Sequence, residues 1–287
     1  MMEFEYHQPA TLDEAFSLLD RHGDDARLIS GGTALIQFMK QRLAQPAHLV
    51  SLARVPGLDY IREEEGQLRI GALTTMRAVE TSPLVQERAG LVADTFRHVA
   101  TVRIRNMATV GGGLAHGDPN QDPPPTLIAF GSSVVLRSSG GERTVPLAGF
   151  FLDYYETDVQ PGEVLTELRI PIPARNARGA FMKFLPRTAD DYATVSVAAV
   201  LELGEGGLCQ AAHIVLGSAG TTPVVATSTQ DALNGRILMD GLVADAAEGV
   251  ASLVSPLDDF RGSAEYKRDM AVVFTRRTVE QAWRESR

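Results

Sequence analysis

The stretch from Ala108 to Pro125, Ala-Thr-Val-Gly-Gly-Gly-Leu-Ala-His-Gly-Asp-Pro-Asn-Gln-Asp-Pro-Pro-Pro, holds four glycines and four prolines in eighteen residues. So much bare backbone in mid-chain limits long regular elements there and exposes main-chain groups. A second glycine pair lies in Arg27-Leu28-Ile29-Ser30-Gly31-Gly32-Thr33-Ala34, where a short apolar strand runs into a turn and then a helical pattern. Without a Cβ, consecutive glycines let successive N–H groups converge on an anion. Thr33 beside the pair and Thr109 beside the triplet each add a hydroxyl able to donate to a phosphate oxygen. Either segment alone is accounted for by a tight turn needed for packing. Two together, each beside a threonine, point to a ligand gripped from two sides. The known phosphate loops are absent. No G-x-x-x-x-G-K string occurs, and Gly111-Gly112-Gly113-Leu114-Ala115-His116 misses the dinucleotide fingerprint at its third glycine, where His116 stands.

Composition narrows the class. At 287 residues the chain has room for about two domains, and 44% hydrophobic with 22% charged residues is the balance of a folded globular protein. The longest near-apolar run, Ala193 to Leu201, is far short of the roughly twenty residues that span a bilayer. The acidic N-terminus lacks the order of an export signal, so a cytoplasmic location is expected. A single cysteine, Cys209, rules out an internal disulfide and an iron–sulfur cluster held by this chain alone. The six histidines are scattered without H-x-x-x-H or H-x-H spacing, and no metal site is expected. A formal charge of -9 argues against nucleic acid as a ligand, although Arg97, His98, Arg103 and Arg105 form a short basic cluster ahead of the glycines.

The order of elements predicts an α+β fold. Thr11-Leu12-Asp13-Glu14 has the form of a capping box, opening an amphipathic helix with Leu12, Ala15, Phe16 and Leu19 on one face and closing at Gly23. His48–Leu52 and Gln67–Ala72 read as short strands, and residues 75–100 as helices broken at Pro83 and Gly90. Ser133–Arg137 and Glu163–Ile170 alternate as strands. The stretch from Pro171 to Gly179 reads as a linker, dividing the chain near residue 175 into parts 1–175 and 176–287. The second part reads as strands at Phe181–Leu185, Ala193–Leu203 and Cys209–Leu216, then helices from Gln230 and a long last one from about Ser263. Strands followed by helices predict one sheet covered by helices.

These segments resemble the FAD-binding medium subunits of the molybdenum hydroxylases. The likeness covers nearly the whole chain. It is carried by Arg27 to Ala34 with Leu43 to Val50 behind it, by Thr109 to Pro119 with Asp122-Pro123, and by Gly162-Glu163-Val164-Leu165 followed by Lys183 and Asp191-Tyr192. The sequence departs from the pattern at Thr33, Gly113 and Gly117, where the family more often has serine, a polar residue and alanine. The resemblance implies a two-part FAD-binding domain followed by a C-terminal α+β domain. It assigns the FAD pyrophosphate to Arg27, Leu28, Ile29, Ser30, Gly31, Gly32, Thr33 and Ala34 on one side and to Thr109, Val110, Gly111, Gly112 and Gly113 on the other, with Ala115 also at the cofactor.

By the same resemblance Val99 lines the adenine or ribose side, Asp122 accepts from the cofactor's hydroxyls, Leu165 lies against the isoalloxazine, and Lys183 and Tyr192 stand at the flavin end. From the residues alone, Asp122 is equally a helix N-cap, Lys183 an exposed lysine on a strand's solvent face, and Tyr192 a loop anchor. No side chain is expected to act as nucleophile or base on the organic substrate. The molybdenum–pterin centre is implied on a large partner subunit and two 2Fe-2S clusters on a small one, in a dimer of heterotrimers. Two other readings stay open: a free-standing FAD oxidase with its own substrate pocket, and a non-enzymatic module binding some other diphosphate. Against the oxidase, the second part lacks an acid–base cluster, since its one histidine, His213, reads as a core residue.

Overall fold

A computed structural model describes residues 2–185, 188 and 190–284. The chain begins with a small parallel sheet, its strands ordered Glu5–His7, His48–Ser51 and Ala26–Ile29. Helix Leu12–His22 covers it, capped by the Thr11 hydroxyl, which accepts from the Glu14 amide at 3.1 Å. The Glu14 carboxylate returns to the Ala10 amide, so the capping box forms one residue wider than its ideal. Phe16 and Ala15 of the helix pack on Ala26 and Val50 of the strands.

Next comes an antiparallel sheet in the order Ile61–Glu64, Gln67–Gly71, Val164–Pro171, Ser133–Ser138 and Gly141–Pro146. The chain between its second and third strands supplies helices Met76–Thr81, Pro83–Arg88, Gly90–Arg97, Val110–His116 and Pro123–Ala129. Leu68, Ile70, Leu136 and Leu168 of the sheet share one core with Val79, Val92, Phe96 and Val110 of these helices. The breaks expected at Pro83 and Gly90 fall where the helices change. Two members of the basic cluster find acidic partners on folding. Arg105 is buried against Glu80 at 2.8 Å and Arg97 turns onto Asp94, so these cations are internally paired.

The last sheet runs Ala177–Phe184, Val195–Leu203, Leu208–Gly217 and Val224–Val225, with Arg236–Ile237 pairing on the third strand. Its middle strand explains the long apolar run in the sequence. Val195, Val197, Ala199 and Leu201 face helices Asp240–Glu248 and Ala264–Arg284, while Ala198 and Val200 point the other way into the core of the preceding helices. A strand buried on both faces reads as a near-continuous apolar run, interrupted here by the buried Ser196. Two expectations change, and three short pairings appear that the sequence did not announce. The linker is shorter than the Pro171–Gly179 stretch, because strand pairing resumes at Ala177. His213 is exposed rather than in the core, since its neighbours Ala212 and Ile214 take the buried face. The pairings at Val224–Val225, Arg236–Ile237 and Glu156–Thr157 are too short to leave a periodic signal.

Because Ala198 is fully buried where the C-terminal sheet meets the central helices, Ala198→Leu is expected to overpack that joint and lower the unfolding free energy by about 1–3 kcal/mol. Urea denaturation followed by circular dichroism measures it.

Candidate functional site

Strand Ala26–Ile29 delivers the first glycine segment to the surface. Arg27 folds back, donating to the carbonyls of Asp24 and Ala26 at 3.0 and 2.8 Å, and so fixes the strand's entry. Beyond Ser30 the backbone turns sharply, with Gly32 at φ +68°, a left-handed value that favours glycine. Gly31 is required for a different reason: any Cβ there would collide with the Met107 carbonyl oxygen. The amides of Gly31, Gly32, Thr33 and Ala34 find no acceptor among the described residues, although all four residues are half-buried. Half-buried amides without partners are costly unless something else accepts from them, and a run of four is chemically able to converge on an anion.

The second glycine segment is not a turn at a strand's end but the first part of helix Val110–His116, with Thr109 as its N-cap. Its amides are already engaged. Val110 donates to the Thr74 carbonyl and Gly111 to that of Ala72, both at 2.9 Å, while Gly113 donates to Thr109 O at 2.9 Å and Gly112 to the Thr109 hydroxyl at 3.2 Å. What the glycines offer here is missing bulk. Gly111 lies so close to Ala72 that a side chain would overlap it, and a Cβ at Gly113 would come within 2.6 Å of the Met76 methyl. Gly112 and Ala115 are exposed three residues apart, which makes one nearly bare helix face.

The two segments touch. Ser30 Oγ and Thr109 Oγ1 are hydrogen-bonded at 2.9 Å across 79 residues of sequence. A Cβ on Gly112 would fall 2.5 Å from Ser30 Oγ. Four free amides and a helix face stripped of side chains thus border one place. Rings reinforce the join: Phe38, from helix Leu35–Lys40, packs edge-on against His116 and Tyr155 at centroid distances of 5.0 and 5.3 Å.

A second group gathers where helix Pro123–Ala129 meets the C-terminal sheet. Asp122 occupies that helix's N-cap position without capping it. Its carboxylate takes the Lys183 ammonium at 2.9 Å instead, the two side chains being 5% and 2% exposed. Lys183 also donates to the His98 carbonyl at 2.9 Å, so it is neither a solvent-facing lysine nor a free cation. Burial pushes the Asp122 carboxyl up to about 6, with Lys183 pulling it down and Asp118 adding a smaller upward push. The Tyr192 hydroxyl donates to the buried Asp118 at 2.7 Å, anchoring its loop, and desolvation with that carboxylate holds the phenol far above its ordinary range. Around this pair Gln121 Nε2, Asp122 Oδ1, Thr194 Oγ1, Ser196 Oγ and Ser218 Oγ are buried without hydrogen-bond partners among the described residues. Register places Ser196 opposite both Lys183 and Gly217. Unpartnered buried polar atoms are rare in folded chains, and such a concentration marks a buried polar cluster with unused hydrogen-bonding capacity.

Other expected residues sit deeper. Leu165 belongs to the central core, Val110 is buried beside it, and Val99 packs on that core while its carbonyl accepts from Arg105 at 2.8 Å. The residues that sequence reasoning missed are Thr194, Ser196 and Ser218, together with Arg261, whose guanidinium reaches back to Asn120 Oδ1 and the Ala193 carbonyl at 3.1 and 2.9 Å. Common serines and threonines on strands carry no spacing signal, and Arg261 lies 141 residues from Asn120.

Removing one member of the Asp122–Lys183 pair tests its electrostatics. Lys183→Met is expected to destabilise the chain by about 3–5 kcal/mol near neutral pH, because a buried carboxylate loses its counter-charge. Lowering the pH through about 6 protonates Asp122, so the loss shrinks towards acid pH. Urea unfolding on either side of that pH measures both; an equal loss at the two would show that packing, not charge, is at stake.

Residues 2–173 match the family model described as the FAD binding domain in molybdopterin dehydrogenase, and residues 180–282 match the CO dehydrogenase flavoprotein C-terminal domain. The carbon monoxide dehydrogenase medium chain of Hydrogenophaga pseudoflava is 38% identical, with 98% of this chain and 97% of that one covered. Subunit alpha of the 6-hydroxypseudooxynicotine dehydrogenase complex of Paenarthrobacter nicotinovorans is 31% identical, with 99% and 96% covered. Among solved structures, the carbon monoxide dehydrogenase of Hydrogenophaga pseudoflava matches with a TM-score of 0.95 at 39% identity over 98% of each chain. Quinoline 2-oxidoreductase from Pseudomonas putida 86 matches with a TM-score of 0.93 at 34% identity, covering 99% of this chain and 98% of that one. With both family models in tandem across almost all of its length, and with relatives alike from end to end, the chain belongs to the family of FAD-binding medium subunits of the molybdenum hydroxylases.

Proposed function

We propose that this chain holds FAD and relays electrons within a heterotrimeric molybdenum hydroxylase, from 2Fe-2S clusters on a small partner subunit to an external acceptor. The observation that carries the reading is the run of four unpartnered amides from Gly31 to Ala34, set beside the bare face of Gly112 and Ala115. That arrangement fits a diphosphate: donors without partners on one side, and on the other a surface that lets a ligand approach the backbone. The unpartnered polar atoms around Asp122 fit the remaining hydrogen-bonding groups of the cofactor. When bound, FAD supplies the exchange of one or two electrons that no side chain here can perform.

The chain's own work is positional and electrostatic. The amides of residues 31–34 hold negative charge without a lysine or arginine. Ser30 and Thr109 keep the two segments in register through their mutual hydrogen bond. Lys183 and Asp122 present a nearly neutral pair, so the local potential depends on whether Asp122 carries its proton. Arg261 and Tyr192 fasten the C-terminal part onto the Asp118–Asn120 segment. In this reading no side chain of this chain acts as nucleophile or general base on an organic substrate. The substrate is set on the large molybdenum–pterin subunit.

In this reading the FAD-binding part extends to about residue 175 and the C-terminal part covers 176–287; family matches that end at 173 and begin at 180 support the division. The complex is a dimer of heterotrimers in the cytoplasm. No helix among the described residues is long and apolar enough to cross a membrane.

Gly112→Val is expected to give a folded chain without flavin, since the new side chain meets Ser30 Oγ and fills the diphosphate's approach. Flavin absorbance per folded chain, with circular dichroism as the control, checks it; full flavin content would move the diphosphate elsewhere. Tagged chain drawn from its native host is expected to bring two further polypeptides carrying molybdenum and iron. A yellow chain that purifies alone and oxidises a substrate without metals would establish a free-standing oxidase instead.

A further inference from the structure

The sequence gives no sign that its histidines cooperate, yet three of the six converge at the edge of the N-terminal sheet. His7 ends strand Glu5–His7, His48 opens strand His48–Ser51, and His22 is the last residue of helix Leu12–His22. The two strands are parallel neighbours with Glu5 opposite His48. One ring nitrogen from each histidine lies within 4.8 Å of the others, and all three side chains are half-buried. His7 Nε2 stands 3.1 Å from His48 Nδ1, and the His22 ring lies 3.7 Å from that of His48, centroid to centroid.

We propose that His7, His22 and His48 form a binding site for one divalent transition-metal ion of the zinc type. The spacing suits it: two nitrogens bound tetrahedrally to one zinc at about 2.0–2.1 Å lie roughly 3.3 Å apart, close to the separation seen between His7 and His48. Imidazole nitrogen is a preferred ligand for zinc, copper and nickel and a poor one for magnesium or calcium, which fixes the class of ion. Glu5 is placed for a fourth position, its carboxylate 3.4 Å from His48 Nδ1 and 3.7 Å from His7 Nε2. A plain hydrogen-bonded stack explains less. It accounts for the His7–His48 contact, but the ring nitrogens of His22 have no hydrogen-bond partner among the described residues.

The role is that of a clasp. The ion would tie the end of helix Leu12–His22 to two strands of the sheet, and the His48 strand also pairs with Ala26–Ile29, which carries the first glycine segment. The site is separate from the diphosphate grip and does not depend on the flavin reading.

Isothermal titration of the metal-stripped full-length chain with zinc alone tests the site. The expected result is about one ion per chain with a dissociation constant of about 100 μM or tighter, and the absorption bands of a tetrahedral site when cobalt(II) replaces zinc. His22→Gln, at the last position of its helix, is expected to weaken binding at least about tenfold, and His48→Gln likewise, with circular dichroism as the control for folding. His213→Gln, on an exposed strand position far along the chain, is expected to change nothing. Saturation weaker than about 100 μM, or binding undiminished in His22→Gln, would overturn the proposal.

Discussion

Everything in the candidate site depends on how closely the backbone around Gly31 approaches the segment from Met107 to Gly112. Gly31 leaves no room for a Cβ against the Met107 carbonyl, and the Ser30 and Thr109 hydroxyls meet at 2.9 Å. Gly111 lies equally tight on Ala72 from the other side. Helix Val110–His116 is thereby pressed between the central sheet and the first glycine loop, with Gly112 and Ala115 left facing out. A side chain at any of these points would separate the layers by an ångström or more, and the free amides would no longer share a border with the bare helix face.

The two segments divide the task by different physics. In the first, the backbone bends through a left-handed glycine and leaves four donors without acceptors. In the second, helix formation and neighbouring carbonyls satisfy the amides, and glycine serves only to remove bulk. One segment contributes polarity and the other access. Glycine therefore has two separate meanings within one candidate site.

The C-terminal sheet completes the arrangement because its middle strand is buried on both faces. Residues Ala198 and Val200 join it to the central helices, which puts Lys183 on the neighbouring strand within reach of Asp122. A buried ion pair of this kind is held by geometry rather than by large net stabilisation, since desolvation of both charges offsets much of their attraction. Its consequence is positional: the buried polar cluster is assembled from residues on both sides of the linker at 172–176.

Much of this was legible in the sequence. The capping box, the breaks at Pro83 and Gly90, the main strands and the last helix follow from local rules of capping, glycine and proline stereochemistry and hydrophobic period, all of which act within a few residues. The two glycine segments were also legible as candidates for one site, because each is a contiguous motif, and folding does bring them together at the Ser30–Thr109 hydrogen bond. Tertiary structure alone decided that Gly111 to Gly113 begin a helix with engaged amides, that Lys183 is neutralised by Asp122, that His213 is exposed, and that His7, His22 and His48 meet. The reason is the same in each case: local conformation is encoded by neighbours in the chain, whereas a side chain's partner across 15 to 61 residues depends on how whole layers pack.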